Sequence, residues 1–480
     1  MFLELDGRGS RQAQLTRALK EAVLSGRLRS GDRLPATRAL AGELGLSRNT
    51  VLASYEELAA EGFLQGKVGS GSYVAAIEAA APEKAAMPAQ ARLSAYAQRA
   101  IATAMRANPG ANHQDLPYNL QYGQPMTNPA LTTAWRRELA KAAAYTQPNY
   151  PESQGRLDLR TAVCDYLARR RGVQAEPDDV LIVSGTQEAV SLSAQVLLDP
   201  GDRVVLEDPH YTALWRIFTA HGAQIDLVPV DDDGLEVDRL PASRRPAPPP
   251  RLAVLTPSHQ FPLGSVLSLQ RRLALLRYAQ ANDMWILEDD YDGEFRYGGA
   301  PLAALRSLDA HDRTLYIGTF SKTLFPVLRM GYMVLPKALR SAFRTAKMIS
   351  TFGCPGIEQR ALAQFIENRG FDRHLRRAAQ TLRARRAALM QGLREHAGKA
   401  VEVRDSQAGM HLVAWLRDFD EARLQNLMNA ARARGVGLHT INQCYLNPPP
   451  RMGLLMGYAG LAPKEINAAM VRFGEALREV

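Results

Sequence analysis

Leu15, Leu19, Ala22 and Val23 recur near the start of the chain at the spacing of one helix face, predicting an amphipathic helix that ends near Gly26. Pro35 precedes a shorter helical pattern, with Leu40, Ala41 and Leu44 on its inner side and Gly45 as its stop. Ser47 is a ready N-cap for a third helix, whose inward positions are predicted as Val51, Leu52, Tyr55 and Leu58. Gly62 closes that helix, and FLQGKVGSGSYV reads as two short strands about a glycine turn. The pattern then lapses. From 76 to 112 the chain is rich in alanine and broken by proline, which predicts a linker, partly helical, rather than a core.

Beyond the linker the period changes. VLIV at 180–183, RVVLE at 203–207, RLAVLT at 251–256, WILED at 285–289 and TLYIG at 314–318 are strand-like runs separated by helical segments. Such alternation predicts a mostly parallel sheet covered by helices, with ligands at the carboxyl ends of the strands. Long helices are expected from about 337 to 396, then a smaller α+β unit containing MHLVAWL and a final helix near 463–478. The organisation expected is multidomain: a mainly α head over 8–75, the linker over 76–112, and an α/β body over 113–480 whose small subdomain begins near 395. RRPAPPP at 244–250 reads as a surface loop.

Composition narrows the class. A chain of 480 residues exceeds one ordinary core. Its 46% hydrophobic and 22% charged residues exclude a disordered or fibrous protein. No apolar run approaches the roughly 18 residues of a membrane span, and the start MFLELDGRGS lacks the pattern of a secretory signal. Cys164, Cys354 and Cys444 are too far apart for a disulfide framework or metal-ligand spacing. A reduced, cytoplasmic protein without a metal or a membrane anchor is expected. The net charge of +10 permits nucleic-acid binding without establishing it, because arginines around 373–386 can supply much of the surplus on a solvated helix.

The third helix leaves Arg48, Asn49 and Thr50 outward in its first turn, offering a guanidinium, an amide and a hydroxyl. In a helix-turn-helix only that leading end reaches base edges. Arg38 is placed to hold a phosphate, and Lys67 with the turn at Gly69 to lay a wing along the DNA. A three-helix interaction module would share this spacing.

In the body, Lys322 follows TLYIG, where its amine can form a Schiff base with an aldehyde. Arg329 stands before the strand GYMVL, suited to clamp a phosphate. Ser184-Gly185-Thr186 opens a helix whose free N–H groups favour an anion. Asp289 ends its strand, where a carboxylate can pair with a protonated pyridine nitrogen. Each piece alone is weak; their joint occurrence at successive strand ends is not.

The stretch from GDRLP through LSRNTV to GSGSYV closely resembles the winged helix-turn-helix of GntR-type bacterial regulators. That resemblance implies Arg38, Ser47, Arg48, Asn49, Thr50 and Gly69 at the DNA. Residues 115–480 resemble fold-type I pyridoxal 5'-phosphate aminotransferases. TPSHQFPLG, EDDYDGEFRYGG and GTFSKTLFPVLRMGY look like the aminotransferase-like domain of the MocR subfamily of those regulators. The resemblance implies Lys322 as the Schiff-base lysine, Asp289 as the pyridine-nitrogen partner, Tyr291 near the cofactor hydroxyl and Tyr211 close to the ring. It implies a phosphate cup of Gly185, Thr186, Thr319 and Arg329.

Two departures separate sensor from enzyme. Where aminotransferases carry asparagine in an Asn-Pro-x-Gly turn, this chain has Phe261-Pro262-Leu263-Gly264. The slot of the substrate-carboxylate arginine falls near Gly453, leaving Arg451, two positions early, as the candidate effector-binding cation. The arginine that 4-aminobutyrate-sensing members carry soon after the tyrosine has no match, since Ala213 and Trp215 occupy that region. The expectation is a homodimeric, pyridoxal-phosphate-dependent regulator that binds promoter DNA and senses an amino compound by exchange at Lys322. The alternatives are an aminotransferase with a vestigial DNA-binding head and a regulator sensing the cofactor itself.

Overall fold

The computed structural model describes residues 3–67, 71–76, 91–105, 115–124, 126, 129–145, 149–241, 248–298, 302–404 and 406–480. The chain divides into two compact units, Met1–Arg92 and Leu93–Val480.

The first unit is built from α1 (Arg11–Leu24), α2 (Thr37–Leu44), α3 (Arg48–Ala60) and the hairpin strands β1 (Leu64–Lys67) and β2 (Gly71–Val74). Leu15, Leu19, Leu40, Val51 and Leu58 meet in its core. Gly45 ends α2 at φ 65, a left-handed conformation that glycine adopts without a Cβ penalty. On α3 the inward face is Val51, Ser54, Tyr55 and Leu58, the i, i+3, i+4, i+7 set of a single stripe. Leu52, expected inward, falls off that stripe and is 41% exposed. Ser54 takes the buried place because its hydroxyl reaches the carbonyls of Gln12 and Thr50.

The second unit opens with α4 (Ala95–Met105), β3 (Tyr118–Asn119), α5 (Pro129–Tyr145) and α6 (Leu157–Arg171). A strand-helix alternation follows: β4 (Val180–Val183), α7 (Thr186–Leu197), β5 (Arg203–Asp208), α8 (Thr212–His221), β6 (Gln224–Asp231), β7 (Gly234–Leu235), β8 (Leu252–Leu255), α9 (Leu269–Ala281), β9 (Trp285–Asp290), β10 (Thr314–Thr319) and β11 (Gly331–Val334). Then come α10 (Arg340–Thr351), α11 (Gly356–Glu367) and α12 (Gly370–His396). The last part holds β12 (Val401–Val403), β13 (His411–Leu416), α13 (Glu421–Ala433), β14 (Val436–Gly437), β15 (Gly453–Gly457) and α14 (Pro463–Glu479).

The main sheet has the order β4-β11-β10-β9-β8-β5-β6-β7. The five strands from β10 to β6 are parallel, β11 is antiparallel to both its neighbours, and β7 closes antiparallel on β6. Helices cover both faces, so the central strands are apolar throughout and do not alternate. Along β4, Val180 and Ile182 join one core with Tyr316 and Tyr332, while Leu181 and Val183 join another with Leu206 and Ile317. The small subdomain carries the antiparallel sheet β12-β13-β15. Helix α4 lies inside the stretch expected to be a linker. It packs on α8, with Arg99 Nε donating to the Ala220 carbonyl at 3.0 Å and Tyr96 edge-on to His221. Among the described residues no helix is long and apolar enough to cross a membrane.

Candidate functional site

The carboxyl ends of the parallel strands open on a cavity of about 270 Å³. Thr186 from the start of α7, Tyr211 from just before α8, Asp289 from the end of β9 and Tyr291 just beyond it all line it. So do Thr319 from the end of β10, and Lys322 and Arg329 from the turn between β10 and β11.

At one end, Gly185 caps α7 at φ 96 and ψ −178. The Arg329 guanidinium stands 3.9–4.0 Å from where a Cβ on Gly185 would lie. A helix N-terminus with free N–H groups and a guanidinium over it favours an anion. Arg329 itself has φ 47, a left-handed conformation costing a non-glycine residue about 1–2 kcal/mol. Behind the cup, the Ser184 N–H donates to Glu188, which pairs with the fully buried amine of Lys347 at 2.7 and 2.8 Å. Nothing in the sequence pointed to this brace, because Glu188 and Lys347 lie on separate helices.

Lys322 is half-buried. Burial pulls its amine below the ordinary lysine value, while Asp292 and Asp289 oppose that by favouring its charged form. Gly123 closes over it: a Cβ there would sit 2.7 Å from Lys322 Nζ. Sequence reasoning missed Gly123, since its segment carries no motif.

Strand alternation assigns the three acids of β9 to two sides. Glu288 accepts from the N–H groups of Leu305 and Arg306, and Asp290 pairs with Arg171 at 2.6 Å, both away from the cavity. Asp289 points the other way and lines it. Burial, reinforced by Asp290 and Asp292, pushes the Asp289 carboxyl up to about 7. Its Oδ1 is buried with no hydrogen-bond partner among the described residues. A carboxylate oxygen so stranded fits a protonated ring nitrogen.

Phe261 occupies the expected asparagine slot and stands edge-on to Tyr211 at 5.9 Å and to Tyr291 at 5.8 Å. Met410 and His411 complete that wall. Burial pushes the His411 imidazole down to about 4, so it is neutral near pH 7.

Arg451 is corrected by the structure. It is exposed, its Nη2 donates to Glu402 at 2.9 Å, and its guanidinium lies 5.4 Å from the Trp415 ring. The loop before β15 turns it onto the surface of the small sheet, away from the cavity. Among the described residues lining the cavity, the lysine and arginine cations are Lys322 and Arg329.

In the first unit Ser47 is the N-cap of α3, accepting from the Thr50 N–H at 3.1 Å and bonded to the Thr50 hydroxyl at 2.8 Å. Arg48 and Asn49 are exposed at the helix start, Arg38 is exposed on α2, and Thr50 is half-exposed. Gly69 and the Lys67 side chain lie outside the described residues. Arg33 was missed; its Nε comes within 3.4 Å of a Cβ position on Gly71, at the base of the wing.

Fold and cavity together define an aminotransferase-like body carried with a winged helix-turn-helix. The family "Bacterial regulatory proteins, gntR family" matches residues 11–74, and "Aminotransferase class I and II" matches residues 118–473. "Probable rhizopine catabolism regulatory protein MocR" of Rhizobium meliloti is 34% identical, over 97% of this chain and 93% of its own length. "HTH-type transcriptional regulator TauR" of Rhodobacter capsulatus is 33% identical, over 99% and 98%. Among solved structures, the kynurenine aminotransferase of Pyrococcus horikoshii has a TM-score of 0.70 at 25% identity, covering 81% of this chain and 95% of its own. The α-aminoadipate aminotransferase LysN of Thermus thermophilus, complexed with N-(5'-phosphopyridoxyl)-L-leucine, has a TM-score of 0.70 at 26% identity, covering 81% and 97%. The chain belongs to the MocR subfamily of GntR-type transcriptional regulators.

Proposed function

We propose that this chain acts in the cytoplasm as a homodimeric regulator that binds promoter DNA through residues 8–75. It carries pyridoxal 5'-phosphate in the cavity of its second unit and senses an amino compound there. The observation that carries this reading is the convergence on one cavity of three features. They are the Lys322 amine, the unpartnered Asp289 oxygen, and the Arg329 guanidinium over the start of α7. They match the aldehyde, the ring nitrogen and the phosphate of the cofactor.

When bound, the cofactor supplies an electrophilic carbon that a primary amine can occupy in place of Lys322. Gly185, Thr186, Thr319 and Arg329 would hold the phosphate through N–H groups, hydroxyls and charge. Asp289 would face the protonated ring nitrogen, an opposite charge that offsets the burial of its carboxylate. Tyr211 and Tyr291 line the cavity and would lie beside the ring and near its hydroxyl. Burial lowers the Lys322 amine from its ordinary value, which favours the neutral form that an aldehyde would need.

Phe261 in place of an amide removes one donor on which turnover relies, favouring a sensor over an enzyme. The rival, a working aminotransferase with a vestigial head, draws on the retained Lys322, Asp289 and cup. Steady-state transamination at ordinary enzyme rates would establish that rival. The absence of a carboxylate-gripping arginine at Ala213 or Trp215 argues against 4-aminobutyrate as the effector.

Absorbance titration tests the reading. The full chain mixed with pyridoxal phosphate should gain a visible band that candidate primary amines alter. Lys322→Ala should lose that covalent band while its head still folds and binds DNA. A wild-type spectrum in Lys322→Ala would exclude the lysine assignment. No response to any amine, in spectrum or DNA binding, would end the amine-sensor reading.

A further inference from the structure

Phe261 sits among four other rings on one wall of the cavity. Its centroid lies 5.4 Å from those of Tyr122 and His411, 5.8 Å from Tyr291 and 5.9 Å from Tyr211. All five residues line the cavity. Behind them the small sheet presents an aliphatic face. Val413 of β13 pairs in register with Leu455 of β15, and both are buried in one cluster with Phe261, Leu263 and Ile441. The wall is therefore apolar in depth and not only at its surface.

The charged groups among the described residues lining the cavity are Lys322, Arg329 and Asp289, and the cofactor would engage each of them. Arg329 would face the phosphate, whose charge of roughly −1.5 to −2 near neutral pH outweighs one guanidinium. Asp289 would face the ring nitrogen. Burial pulls the Lys322 amine below its ordinary value, and Asp292 and Asp289 balance whatever charge it carries. His411 has no proton to offer an anion. Burial pushes it down to about 4, so it is neutral near pH 7, and its one N–H is donated from Nε2 to the Pro262 carbonyl at 3.1 Å. The Thr256 hydroxyl already donates to Glu207 at 2.7 Å, and the amides of Gln121 and Gln187 suit an uncharged polar atom. A carboxylate entering here would lose its water close to a phosphate and to Asp289, with both lining cations committed. An uncharged apolar body would instead gain by burial against the rings.

We propose that the amine sensed by this cavity carries no carboxylate: it is a primary amine on an uncharged, largely apolar body that packs on the Phe261 wall. The inference deepens the pyridoxal-phosphate reading above and rests on it. The amino group goes to the place of Lys322, and the body goes to the rings of Phe261, Tyr211 and Tyr122.

The test titrates the visible band of the cofactor-loaded full chain with matched amines. One set is phenylalanine, phenylalaninamide and phenylethylamine; the other is 4-aminobutyrate, its amide and butylamine. Each amide keeps the shape of its acid and loses the charge. Each affinity is divided by that of the same amine for free pyridoxal phosphate in the same buffer, which cancels the amines' own basicity. In every set that responds, the uncharged members should bind roughly tenfold or more tighter than the acid on this scale. Phe261→Ala should lower the affinity for phenylethylamine roughly tenfold or more, and a wild-type affinity there would overturn the part given to the wall. The comparison within each set uses the wild-type chain and does not depend on that variant folding. An acid that binds as tightly as its amide would overturn the proposal, and so would a band that no member alters. Absence of a visible band in the wild type would instead count against the cofactor reading itself.

Discussion

Arg329 sits in a conformation unfavourable for any residue but glycine, and its guanidinium covers the start of α7. Arg329→Gly should therefore leave the cofactor-free chain as stable or up to about 1 kcal/mol more stable, while cofactor affinity falls tenfold or more for want of the charge. Thermal unfolding with and without pyridoxal phosphate separates the two effects. Asp289 makes a pH prediction. Its carboxyl titrates at about 7 in the fold, against an ordinary 3.8. Between those values the folded chain binds more protons than the unfolded one, so its contribution is fully present below 3.8 and lost as pH rises through 7. The cofactor-free chain should melt lower at pH 8 than at pH 6, and Asp289→Asn should narrow the gap. Glu207, also at about 7, keeps some of it. Arg451→Ala removes an exposed pair with Glu402 and a contact with the Trp415 ring, and should leave any amine response unchanged, as a melting and spectral titration can check.

Elements explain why some of these groups were legible in sequence. Asp289, Thr319 and the turn at Ser184 each adjoin an apolar strand run, and a strand end in an α/β sheet already fixes where a side chain emerges. Lys322 and Arg329 follow within the next turn. Gly123 over Lys322, or His259 against Asp292, depends on segments far apart in sequence meeting in space, and no local pattern encodes that. Leu52 was misplaced because a helical stripe is narrow, and a polar residue with two carbonyls in reach displaced it. Strand β6, second from the end of the sheet and mostly half-buried, also lacked an apolar run to find. At α3 the cap and the reading residues are separable. Ser47→Ala should lower the stability of the head by about 1 kcal/mol. Arg48→Ala should leave its melting unchanged and weaken specific DNA binding roughly tenfold or more, as fluorescence anisotropy would show.

The whole molecule joins a DNA reader to a catalytic fold whose cavity keeps a lysine, a guanidinium over a helix start and a stranded carboxylate, with an aromatic ring where an amide would tune turnover. The division into two units makes the central claim one of coupling. Occupancy of the cavity must favour one arrangement of the chain on DNA, by an amount set by the ligand's different affinities for the arrangements. The direct measurement is the affinity of the full chain for its promoter duplex in three states: alone, with pyridoxal phosphate, and with pyridoxal phosphate plus an amine that alters the visible band. The wild type should change affinity roughly fivefold or more between the last two states, and Lys322→Ala should not. Equal affinities in the wild type, despite a spectral change in the cavity, would contradict the account.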